Sequence, residues 1–142
     1  MQAAFRSDLV TRLVDEFDDI HQLEQPLVFD SLVLAPGGLV RIVVPAGFKT
    51  DLASVPRIVG AYLLFGNKGK RAAVVHDWLY SGGINVTREA ADAVFREALQ
   101  ATGYNRLTVA AMYAGVRLGG ASRFTAPNVP QIAQVAALME AA

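Results

Sequence analysis

The sequence predicts an α+β fold: a small N-terminal antiparallel sheet packed beside three main helices, with a short C-terminal helix. Three observations carry this. Short runs rich in Val, Leu and Ile, punctuated by turn residues, fill the first 50 positions. From about residue 66 onward the pattern is helical, with recognisable start and stop residues. The two kinds do not alternate, which is the α+β order rather than a repeating βαβ one.

The expected strands are "LVTRLV" (9–14), "LVFDSLVL" (27–34) and "LVRIVV" (39–44), with "APGG" (35–38) as the turn between the last two. Leu9, Leu13, Phe17 and Ile20 also fit a helical face. Strands are preferred there because no helix stop precedes "EQPLVFD". "PAGFKTDLASVPR" (45–57) reads as a loop, and a short helix is expected after Pro56, since proline suits a first helical turn. Residues 70–81 form the next helix, ended by "SGG". Thr87 is a good N-cap for "REAADAVFREALQATG", which ends near Gly103 and gathers Ala91, Val94, Phe95, Ala98 and Leu99 on one apolar face. A third helix spans 105–119, and "QIAQVAALMEAA" supplies the terminal one. The expected division is one α+β domain over 1–122 and an arm with a short helix over 123–142.

Composition excludes several classes. The chain has 142 residues, 53% of them hydrophobic and 18% charged, which argues against disorder. Net charge is zero but uneven: residues 1–65 are acidic by three charges and 66–142 basic by three. That is too mild for a nucleic-acid partner, which usually leaves a concentrated basic face. There is no cysteine, so neither disulfides nor thiolate zinc sites enter. The N-terminal residues lack the apolar core of a signal peptide, and no run of about 18 apolar residues predicts a membrane span.

The chemistry-bearing stretch is "HDWLY" (76–80). On a helix, His76 and Tyr80 share a face, while Asp77 points roughly 100° away. The following helix carries Asp92 between Ala91 and Ala93, and the short "SGGINV" connection makes the two helices antiparallel neighbours. Asp92 is therefore expected within hydrogen-bond reach of His76. A carboxylate on one imidazole nitrogen leaves the other as a base. Asp77, aimed elsewhere, is expected to bind a cation through oxygen. The competing reading is a satisfied polar core, with Asp92 bonded to Tyr80 or Tyr113. Asp51 and Ser54 read either as caps of the helix after Pro56 or as part of the same cleft. Arg57 reads as a surface ion-pair partner. "NKGKR" reads as a solvated turn, with phosphate binding as the alternative. Trp78 reads as core or as a contact near the site. His21, in a polar stretch, carries no signal.

"VPAGFKTDLASVPR", "RAAVVHDWLY" and "EAADAVFREAL" together resemble a family of phage and prophage proteins known as domain of unknown function 1353. The likeness covers about residues 8–120. It implies a tailed-phage or prophage origin and supports strands over a helix in residues 8–34. The helix pair is also similar to the catalytic core of phospholipase A2, including the form inside parvovirus capsids. There a histidine activates water, the next aspartate binds calcium, and an aspartate on the antiparallel helix orients the histidine. By motif those roles fall on His76, Asp77 and Asp92, with Tyr80 as the supporting tyrosine. That family's "YxGxG" loop has no counterpart here. "FGNKGK" (65–70) does not match it, and "KTDLAS" with Asp51 is the candidate replacement.

The expectation is a tailed-phage virion or tail-associated protein, made in the bacterial cytoplasm. It carries a candidate His–Asp hydrolytic site for the host envelope, with calcium as candidate cofactor. Expected partners are other virion or tail subunits and host phospholipid or cell-wall polymer. The alternative is a non-enzymatic structural or tail-assembly protein.

Overall fold

The computed structural model describes residues 2–35, 37–51 and 69–124. Ser54, Arg57, the helix expected after Pro56 and the terminal helix over 131–142 lie outside the described residues.

Two three-stranded antiparallel sheets precede three helices. The first sheet has the order β1-β4-β5, from β1 (Ala4–Phe5), β4 (Leu27–Ser31) and β5 (Val40–Val44). The second has the order β2-β3-β6, from β2 (Thr11–Asp15), β3 (Ile20–Leu23) and β6 (Lys49–Thr50). The helices are α1 (Lys70–Tyr80), α2 (Arg88–Thr102) and α3 (Arg106–Gly119), followed by a 3-10 turn at Ala121–Arg123. The α+β class and the strand reading of residues 8–34 hold. β1, β3 and β6 were not expected. Each is two to four residues long, too short for a period-2 pattern to stand out. β6 falls inside the stretch read as a loop.

The β4–β5 hairpin shows why the sequence chooses a sheet. Leu27 faces Val44, Phe29 faces Ile42 and Ser31 faces Val40 in register. All six are buried, whereas Arg41 and Val43 between them are exposed. On β5 the period-2 alternation puts one face in the core and the other toward water, while on β4 the outward Asp30 is itself buried. On the outer face Asp30 pairs with Arg41, and Arg41 Nε donates to its Oδ1 at 2.8 Å. Arg6 adds a bond from the β1 side at 3.0 Å. The expected turn between these strands is present, and Gly37 takes a positive φ of 75° there, which glycine adopts without steric cost.

Thr87 and Gly103 cap α2 as expected, whereas Asn105, expected as the first residue of the third helix, is its N-cap. Thr87 accepts a bond from the Ala90 N–H at 3.1 Å, and Gly103 closes α2 in the left-handed region at φ 98°. Asn105 starts α3 by accepting from the Thr108 N–H at 2.8 Å. Ala91, Val94, Phe95, Ala98 and Leu99, the face expected on α2, are all fully buried. They join Leu23, Leu27, Phe29, Ile42, Val75, Leu79 and Met112 in one core. Glu97 fixes α2 to the first sheet: its carboxylate accepts from the Ser31 hydroxyl at 2.6 Å and from the Leu32 and Val33 N–H groups at 2.9 and 3.1 Å.

Candidate functional site

α1 and α2 are joined by residues 81–87 and lie against each other. Gly83 lets the connection close, because a Cβ there would collide with the Trp78 indole. The pairing brings Asp92 to His76: Nε2 of the imidazole lies 2.7 Å from Asp92 Oδ1. The expected contact is therefore present. Neither residue has measurable solvent exposure.

Asp92 is the centre of the cluster. The Tyr80 hydroxyl donates to the same Oδ1 at 2.6 Å. Arg117, from α3, donates to Oδ2 at 2.6 Å. Arg88 lies 3.9 Å from Oδ2 and donates to the Tyr80 hydroxyl at 3.3 Å. Arg88 also donates to the backbone carbonyls of Val116 and Arg117, which ties the start of α2 to the end of α3. The imidazole itself sits between aromatic rings, 4.1 Å from Tyr80 and 4.8 Å from Phe95 by centroid.

The electrostatics follow from this geometry. Burial pushes the His76 imidazolium below its ordinary range, and the attraction of Asp92 does not overcome it. Burial alone would raise Asp92, but bonds from His76, Tyr80 and Arg117 hold it below the usual carboxylate range. Burial, then the bond to the anionic Asp92, push the Tyr80 phenol upward. The resting state is a neutral imidazole, a carboxylate and a neutral phenol. A carboxylate only accepts, so Nε2 carries the imidazole hydrogen and the lone pair sits on Nδ1. That is the protonation state of a general base whose tautomer is set by an aspartate.

Asp77 points away from this cluster, as expected from helix geometry. Its Oδ2 accepts a 2.6 Å bond from the Thr50 hydroxyl, which ties α1 to β6. Asp51 is exposed, and with Thr50, Asp19, His21 and Lys70 it lines a small cavity of about 90 Å³ beside β2 and β3. His76 and Asp92 are not among its walls. Among the described residues no three His, Asp or Glu side chains converge in a manner that could hold a metal ion.

Trp78 is half-buried, its ring set edge-on to Phe48 at 5.1 Å. Tyr113, considered as a partner for Asp92, instead lies under the Arg96 guanidinium at 4.6 Å. Arg88 and Arg117 escaped sequence reasoning. Arg88 is four residues before Asp92 and so shares its helix face, a signal that could have found it. Arg117 is 25 residues away, and no local pattern points to it.

Residues 22–116, about two thirds of the chain, match the family described as "Protein of unknown function (DUF1353)". No curated protein and no solved structure matches.

Proposed function

We propose, from the premise that the chain belongs to the DUF1353 family, that it is a tailed-phage or prophage particle protein whose His76–Asp92 pair serves as the general-base dyad of a small hydrolase acting on the host envelope. The observation that carries this is the 2.7 Å bond from a neutral, buried imidazole to a carboxylate that is itself held by Tyr80 and Arg117. Nδ1 of His76 would take a proton from water as its oxygen adds to an ester carbonyl. Asp92 would stabilise the imidazolium so formed. As the tetrahedral species collapses and the ester C–O bond breaks, the same proton would pass to the leaving oxygen. Asp77, with Asp51 of the 45–57 loop, would contribute oxygens to a calcium ion.

A second reading is favoured by one observation. His76 and Asp92 have no solvent exposure, as expected of a polar cluster kept to fix the packing of α1, α2 and α3.

One experiment separates them. Phospholipid vesicles and purified cell-wall sacculi are incubated with the protein, with calcium present and then chelated. His76→Gln and Asp92→Asn are carried in parallel, with their melting temperatures. The hydrolase reading expects activity on one substrate that His76→Gln abolishes and Asp92→Asn lowers less. Activity lost on chelation, together with a calcium-dependent rise in melting temperature, would support the cation role of Asp77. Wild-type protein inert on both substrates, with both variants destabilised by about 1–3 kcal/mol, would overturn the hydrolase reading in favour of the structural one.

A further inference from the structure

We propose that the β2–β3 hairpin tip of one copy docks into the cavity between α2 and α3 of a second copy, with Phe17 entering between Arg96 and Arg106. No residue of the His76 cluster takes part.

Phe17 is fully exposed at the turn between β2 and β3. A lone exposed apolar residue is ordinary, but this one sits on a built support. Asp15 Oδ1 accepts from the Phe17 N–H at 2.9 Å and from the Asp18 N–H at 3.2 Å. Asp19 takes a positive φ of 52° to close the turn. A ring presented on a pre-ordered turn loses little entropy on docking. Leu13 and Val14, just before the turn, are exposed as well. The tip is also acidic, with Asp15, Glu16, Asp18 and Asp19 around the ring. It repels nucleic-acid phosphates and anionic lipid. Its complement is an apolar socket with a cationic rim.

The chain carries such a socket. A cavity of about 400 Å³ is lined by Arg96, Gln100, Arg106, Val109, Ala110 and Tyr113. Of these Val109 is buried, and the Arg96 guanidinium lies over the Tyr113 ring. No carboxylate lines it. Among the described residues neither arginine is in an ion pair. Acids surround the ring and arginines rim the socket, the same division of charge that separates the acidic first half of the chain from the basic second half. Tip and socket are different surfaces, so the contact closes as a reciprocal dimer or continues head to tail.

Sedimentation of the full chain over a range of concentrations tests this. Association is expected at low salt and should weaken as salt screens the charges. Phe17→Ser and the double variant Arg96→Glu/Arg106→Glu alter exposed side chains, so both should keep the wild-type circular dichroism spectrum. Each alone should lose self-association by on the order of tenfold or more. Mixed in equal amounts they should pair one to one, because the first supplies an intact socket and the second an intact tip. A wild type that stays monomeric at every concentration in low salt, association that Phe17→Ser leaves unchanged, or a mixture that fails to pair would each overturn the proposal.

Discussion

His76 couples the chemistry of the site to the stability of the fold. Its imidazole is held neutral by burial, while in the unfolded chain it titrates near 6.5. Below that pH the unfolded state binds more protons than the folded one. Stability is therefore lost as pH falls through about 6.5, and the loss continues down to the folded value. His76→Gln should remove this part of the pH dependence, leaving a flatter curve between about pH 5 and 7. Urea denaturation at a series of pH values measures it, and an unchanged slope in the variant would assign the titration elsewhere. Arg117 sets the balance. Its 2.6 Å bond neutralises Asp92, and so lowers the pull of that carboxylate on an imidazole proton. Arg117→Met should raise the pH at which His76 protonates, visible in the nitrogen chemical shifts of the ring. The pair at the centre of the cluster was legible in the sequence, because a short connection and apolar flanks force α1 and α2 into register. Arg117 was not, because its contact depends on how α3 lies across α2, and neither helix records that angle locally.

At the scale of elements, what could be read was what local chemistry determines. Thr87 and Gly103 cap α2 because side chain or backbone freedom satisfies the terminal groups. The short strands were illegible because two to four residues hold no clear period, and β6 is a strand through its pairing with β3. Gly83→Ala should destabilise the α1–α2 connection by about 1–3 kcal/mol, since the added methyl meets the indole of Trp78. Thermal unfolding with Trp78 fluorescence as the probe measures both the loss and the displaced ring. On the first sheet, Arg41 first and then Arg6 hold the Asp30 carboxyl down at about 2. Its contribution is present above the ordinary value near 3.8 and disappears as pH falls toward 2. Asp30→Asn should therefore cost about 1–2 kcal/mol at neutral pH, after screening of the half-exposed arginines. The cost should shrink toward zero in acid. A loss that persists unchanged at pH 2 would locate its origin in packing rather than charge.

Across the whole molecule the two sheets differ in how they are anchored. The β1-β4-β5 sheet gives Leu27, Phe29, Val40, Ile42 and Val44 to the core. It is also tied to α2 by the three bonds that Glu97 accepts. The β2-β3-β6 sheet gives only Leu23 to the same core among its described strand residues. The Thr50 hydroxyl ties it to α1 through its bond to Asp77. β2 is an edge strand, and Arg12, Leu13 and Val14 along it are exposed. Local opening follows apolar burial, so the β2–β3 hairpin should open well below the free energy of global unfolding while β4, β5, α1 and α2 open only with the whole chain. Native-state hydrogen exchange resolves this. The amides of Arg12, Leu13, His21 and Gln22 should exchange through a low-energy opening, and those of Phe29, Ile42, Val75 and Phe95 should approach the global value. Thr50→Val should lower the hairpin's opening energy by about 1 kcal/mol, the loss of one hydrogen bond to a charged acceptor offset by an added methyl, and leave the core amides almost unmoved. Equal protection in both sheets would mean that they open as one unit, with the second held by more than Leu23 and Thr50.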